Sequence, residues 1–114
     1  MVMEELVHVA LSPIDGQGLF ASRTIKKETY LGTYDGPAAK RNGKYVLWVV
    51  DGDEVVGRRG MNKLRYVNHS EEPNAEFVGF DLFALRRIAP DEEITVDYTA
   101  GELEDEEDEA MESG

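Results

Sequence analysis

A mostly-β single domain is the fold class this sequence predicts, on three observations. Short apolar or alternating runs recur at ~8–12-residue spacing, each closed by Gly, Pro, Asn or Asp, the pattern of many short strands. β-Branched residues gather in those runs, Val46, Val49, Val50, Val55, Val56 and Ile94 among them, because a branched Cβ packs well on a pleated surface. Helical periodicity is poor throughout, and 114 residues suit one domain with one modest core.

In chain order the expected strands are Leu6–Leu11, Gly18–Ala21, Thr29–Tyr34, Tyr45–Val50, Asp53–Val56, Glu76–Val78, Asp81–Arg87 and Ile94–Tyr98. Ser12-Pro13-Ile14-Asp15-Gly16 breaks the first pair, and Asp35-Gly36-Pro37 closes the third run. Asn42-Gly43 and Asp51-Gly52 are dipeptides favoured by tight hairpins, where both central positions need positive φ. Met61–Tyr66 offers one or two helical turns, with Met61 and Leu64 on one side. Ile94, Val96 and Tyr98 alternate with Thr95 and Asp97, so Tyr98 falls on the apolar face of its run.

The charge is lopsided. Twenty-four acids against twelve bases give a net charge of −12. Eight of the acids lie after Gly101, in a stretch with no base, which leaves residues 1–100 at −4. The expected division is a domain over residues 1–100 and an acidic, solvated tail over residues 101–114. There is no cysteine, so disulfides and thiolate zinc sites are excluded. His8 and His69 are far apart in sequence and make no ligand set, so no metal site is expected. The acidic Met1–Ala10 segment is wrong for a signal peptide, and no run approaches the ~18 apolar residues of a membrane span. A cytoplasmic location, with no membrane partner, is the expectation. An acidic surface repels phosphates, so no direct nucleic-acid binding is expected, and a basic protein is the natural partner.

Three motifs carry chemistry. Gly16-Gln17-Gly18-Leu19-Phe20-Ala21 has the letters G-x-G-x-x-A of a dinucleotide loop. That loop must open a helix, and Ser22–Tyr30 has no helical stripe, so a plain glycine turn or a close backbone approach to another ligand remains. Asn68, His69, Ser70 and Asn74 crowd four hydrogen-bonding side chains into seven positions. Turn capping explains such a loop as well as a site does. A Ser-His-Asp hydrolase is disfavoured, since Ser70 merely adjoins His69 and no G-x-S-x-G elbow exists. Tyr98 alone reads as a core aromatic with a satisfied hydroxyl.

Taken in order, Gly16–Ala21, Tyr34-Asp35-Gly36, Arg65-Tyr66-Val67-Asn68-His69-Ser70-Glu71-Glu72-Pro73-Asn74 and Glu92-Glu93-Ile94-Thr95-Val96-Asp97-Tyr98 resemble the SET domain of protein-lysine methyltransferases. The likeness covers most of residues 5–98 and is similar to a minimal SET protein without flanking modules. It implies a fold of several small sheets with little helix and a knot-like C-terminal crossing, an exception to the usual absence of threading. It implies an enzyme that binds S-adenosyl-L-methionine, releases S-adenosyl-L-homocysteine and methylates lysine on a basic, histone-like or ribosomal protein. By resemblance, Gly16, Gln17, Gly18 and Leu19 with Asn68 and His69 hold the cofactor. Tyr98 is the catalytic tyrosine, and Tyr34 and Phe77 line the lysine channel.

Elementary chemistry suits those residue types. The nucleophile must be a neutral amine, yet free lysine titrates at about 10.4. A desolvating aromatic channel beside a cationic sulfonium lowers that value, so no dedicated base is needed. A phenyl ring at Phe77 leaves room for more than one methyl. Thr99-Ala100-Gly101 supplies no channel-closing aromatic after Tyr98, so the channel is either open or closed by the substrate, the tail or a second copy in a homodimer. The alternative reading is a non-catalytic SET-like module that binds cofactor or basic peptides. An acidic mimic of nucleic acid is disfavoured by the near-neutral body.

Overall fold

The computed structural model of the chain describes residues 1–98. The acidic tail and the Thr99-Ala100-Gly101 step lie outside them. Among the described residues there are ten strands and a single 3-10 turn. None of their helices is long and apolar enough to cross a membrane.

Three small sheets make up the fold. The first contains β1 (Val7–Leu11), β2 (Gln17–Ala21), β7 (Asn68–His69) and β10 (Glu93–Val96), in the spatial order β1-β2-β10-β7. The C-terminal strand is therefore laid between the N-terminal ribbon and the Asn68–His69 strand. It runs antiparallel to β2 and parallel to β7, with Thr95 opposite Asn68 and Val96 opposite His69. The second sheet joins β3 (Tyr30–Thr33), β9 (Asp81–Ala84) and β8 (Ala75–Val78). The third places β6 (Glu54–Arg59) between β4 (Ala38–Ala39) and β5 (Val46–Asp51).

One core sits between these sheets and the 3-10 turn Lys63–Tyr66. Leu19, Leu31, Leu64, Leu82, Ile88 and Ile94 are fully buried in it, each contributing about 1.5–3 kcal/mol by leaving water. Asn62 caps the turn, its side chain accepting from the Leu64 N–H, so the segment expected to be helical starts two residues after Met61. Asn74 is the notable polar residue inside. It donates to the Glu93 carbonyl at 2.8 Å and accepts from the Thr95 N–H at 2.9 Å. Both ends of its amide are thus used to fasten β10, which is what a buried polar group requires.

The structure differs from the sequence expectations at several points. The β5–β6 turn has Gly52 and Asp53 at its centre, with positive φ at Gly52 alone, the pattern of a type II′ turn. Asn42-Gly43 forms no hairpin, because β4 and β5 lie on opposite sides of β6. There the Asn42 side chain instead accepts from Gly43 N–H and from the Trp48 indole at 3.1 Å. Asn68–His69 is a strand where a loop was expected. The last strand stops at Val96, two residues short of Tyr98.

Candidate active site

Tyr98 lines a cleft and, through its contacts with His69, adjoins the strand that carries Asn68. The cleft, of about 850 Å³ between β5 and β8, is lined by Tyr34, Tyr45, Trp48, Arg65, Phe77 and Tyr98 among others. A polar cluster forms around Asn68 and the Ser12–Gly18 loop.

On the cleft side, Tyr34 is almost fully buried and meets Phe77 edge-on, with ring centroids 5.7 Å apart. Its hydroxyl donates to the Tyr45 carbonyl at 2.5 Å, while Arg58 Nη1 donates to the Tyr34 carbonyl at 3.0 Å. The space for that ring depends on Gly60, where a Cβ would lie 2.6 Å from the hydroxyl oxygen. Tyr98 donates to the Val67 carbonyl at 2.7 Å. Its backbone N–H donates to His69 Nδ1 at 3.2 Å, and the two rings stack at 6.5 Å. Asp97 Oδ1 lies 3.7 Å from the same nitrogen.

Burial pushes the Tyr34 phenol up to about 12, partly opposed by the Arg65 guanidinium. Burial, followed by the neighbouring Tyr34, raises Tyr98 further. Both therefore remain neutral phenols at physiological pH, able to orient groups but unable to act as bases. The folded state keeps these protons above pH 10, where an unfolded tyrosine loses them, so stability present below pH 10 falls as pH rises. For Tyr34 the loss extends to about pH 12, at about 1.4 kcal/mol per pH unit. Urea unfolding at stepped pH above 10 should show a shallower decline for Tyr34→Phe than for the native chain. Parallel declines would contradict this.

On the polar side, Asn68 Nδ2 contacts four acceptors: Glu93 Oε2 at 2.9 Å, Ser12 Oγ at 3.1 Å, Asp15 O at 3.1 Å and Gln17 O at 3.3 Å. The Ser12 hydroxyl faces both Glu93 carboxylate oxygens at 2.8 Å. Gly18 lies directly beneath, where a Cβ would fall 2.4 Å from Glu93 Oε2. Gly16 has φ +48 with nothing within 4 Å of its missing Cβ. The first glycine of the motif thus supplies a left-handed turn, and the second makes room for a carboxylate of this chain.

The structure brings Gly16, Gln17, Gly18 and Asn68 into one cluster. His69 lies beside it, under Tyr98, and Tyr34 and Phe77 share the cleft with Tyr98. Leu19 stands apart, since its side chain is fully buried in the core and its backbone pairs with both Val9 and Ile94. Sequence reasoning missed Glu93, Ser12 and Tyr45. Glu93 sits in an Asp-Glu-Glu run that resembles a solvated turn, and Ser12 is 81 residues from it. Tyr45 has φ +67, a conformation no bulky residue advertises.

A family model, the SET domain, matches residues 16–99. The chain is 35% identical over 123 residues to the histone-lysine N-methyltransferase trr of Drosophila melanogaster, across 88% of this chain and 5% of that protein. The methyltransferase domain of human PR domain-containing protein 2 superposes with a TM-score of 0.66 at 27% identity, across 81% of this chain and 76% of that one. The methyltransferase domain of human histone-lysine N-methyltransferase SETMAR shares the fold, with a TM-score of 0.73 at 23% identity across 86% and 46% of the two chains. With the family model spanning both the glycine motif and Tyr98, the chain belongs to the SET-domain family.

Proposed function

We propose that this chain is an S-adenosyl-L-methionine-dependent protein-lysine N-methyltransferase acting on a basic protein. The observation that carries the reading is the position of Tyr98. It lines an aromatic cleft fit for a lysine side chain and, through His69, adjoins the Asn68 strand, part of a polar cluster fit for a small charged cofactor. The curated relatives are named histone-lysine N-methyltransferases, which supports the reaction class.

The polar cluster suits the cofactor by its chemistry. Glu93 and the Asp15 and Gln17 carbonyls make it rich in acceptors, which complements a sulfonium and an α-ammonium group. Gly16, Gln17, Gly18, Asn68 and His69 would hold the cofactor, with Leu19 contributing by placing the loop from the core. When bound, S-adenosyl-L-methionine supplies an electrophilic methyl group on sulfur.

The chain's own residues do the rest by positioning. Tyr34, Phe77 and Tyr98 present ring faces and edges that strip water from the lysine stem and attract a methylammonium. Desolvation there favours the neutral amine, which is the form that attacks. The Tyr98 phenol is held to the Val67 carbonyl and aligned by His69, so it stays protonated and fixed. Phe77 brings no hydroxyl to the channel, and this leaves room for a second and third methyl. Beyond Tyr98 the channel is either open or closed by the substrate, the tail or a second copy of the chain.

The experiment is intact-mass analysis of lysine-rich proteins after incubation with the chain and S-adenosyl-L-methionine. Successive methyl-for-hydrogen steps on lysine are expected. A broad panel with no such steps, together with measurable cofactor binding, would favour the non-catalytic module instead.

A further inference from the structure

We infer that Arg65, clamped between the rings of Tyr45 and Tyr66, is an anion subsite in the cleft wall that takes a substrate carboxylate close in sequence to the target lysine. The inference rests on the methyltransferase reading above and adds a feature of its substrate. The guanidinium carbon lies 5.1 Å from the Tyr45 centroid and 4.9 Å from the Tyr66 centroid. Nη2 donates to the Tyr66 hydroxyl at 2.7 Å. The two rings meet edge-on at 5.9 Å, so the fork is fixed before any ligand arrives.

Arg58, Lys63 and Arg86 each pair with a carboxylate, whereas no carboxylate among the described residues pairs with the Arg65 fork. Of its five N–H donors, the Tyr66 hydroxyl occupies one. Arg65 is also the sole cation among the described residues lining the cleft. A second cation, Lys44 Nζ, sits 5.2 Å from the same Tyr45 ring. Two positive groups sharing one ring repel each other unless an anion joins them.

The shelf beneath this site is strained. Tyr45 adopts φ +67, held there because its carbonyl accepts from both the Tyr34 hydroxyl and the Gly60 N–H at 2.8 Å. Such strain persists only where the surroundings impose it, and it clusters at functional positions. Glu76 and Asp97 line other parts of the cleft, so the cleft is cationic at one wall and anionic elsewhere. A segment carrying lysine and a nearby Glu or Asp has the matching polarity. A planar fork suits a carboxylate, which it can bind bidentately.

The test uses peptides with one lysine and a single Glu, or Gln in its place, at each position within four residues, a reach of about 13 Å in extended chain. Turnover and affinity for the S-adenosyl-L-homocysteine-loaded chain are measured together. At one offset the Glu peptide should be favoured by about 5–30-fold, as a charge-assisted hydrogen bond allows. Arg65→Gln should bring that ratio near one, and Arg65→Lys should restore part of it, which separates the subsite from mere packing of the aromatic wall. Equal treatment of Glu and Gln at every offset, or a preference that survives Arg65→Gln, overturns the inference. So does a uniform shift of the pH–rate profile with no change in the ratio. Methylation without discrimination sinks the subsite and spares the methyltransferase reading. Discriminating binding without methyl transfer does the reverse.

Discussion

Gly36→Ala is expected to destabilise the fold by about 3 kcal/mol, the upper end of what overpacking usually costs. A Cβ at residue 36 would lie 1.7 Å from the Arg59 carbonyl oxygen. Neither backbone can yield cheaply. Arg59 N–H donates to Pro37 O at 3.0 Å, and Met61 N–H donates to Asp35 O at 2.8 Å, which stitches the two segments together. The strand end that would be displaced carries Gly60, against which Tyr34 packs. The cleft wall should therefore be disturbed together with stability. Urea unfolding checks the magnitude, with Gly16→Ala as the comparison. That substitution meets only a left-handed φ and open space, so it should cost about 1 kcal/mol. Equal midpoints for Gly36→Ala and the native chain would contradict the packing described.

Glu93→Ala should act on the polar cluster with comparable force. It removes the acceptor shared by Ser12 and Asn68, and hydrogen bonds to a charged group contribute about 1.5–3 kcal/mol. Partial exposure of the cluster puts the expected stability loss near the lower end. The larger effect should fall on cofactor affinity, at least about tenfold, because the Asn68 amide loses its anchor and the glycine loop its tie to β10. Glu93→Gln keeps an acceptor for Asn68 and should recover part of that loss. Calorimetry with S-adenosyl-L-homocysteine reads both variants. An affinity unchanged in Glu93→Ala would show that the carboxylate has no part in shaping the site.

The sequence made the strands of the core legible because their apolar residues alternate over several positions. Leu19, Leu31, Leu82 and Ile94 all fall in runs read as strands. Asn68–His69 was missed because two residues carry no period, and its pairing depends on β10, more than twenty residues away. The motif letters pointed to the right neighbourhoods, yet their physical reasons were tertiary. Gly18 is required by Glu93, Gly36 by the Arg59 carbonyl, and Asn74 by the backbone of β10. None of these partners is adjacent in sequence, so local pattern could name the residues but could not say what each one touches. Tyr45 was invisible for a different reason. Its positive φ and its double role, under Tyr34 and beside Arg65, arise from contacts that a propensity disfavouring that conformation cannot foresee.

The central claim is that the aromatic cleft and the Asn68 cluster act on one reaction through Tyr98. Single-turnover methyl transfer to a lysine peptide, with S-adenosyl-L-methionine prebound, tests it most directly in the native chain and in Tyr98→Phe. The native chain should transfer a methyl group. Tyr98→Phe should be slower by about a hundredfold, as for loss of one preorganised hydrogen-bonding group, with cofactor affinity little changed. Equal transfer rates for the two proteins would contradict the account.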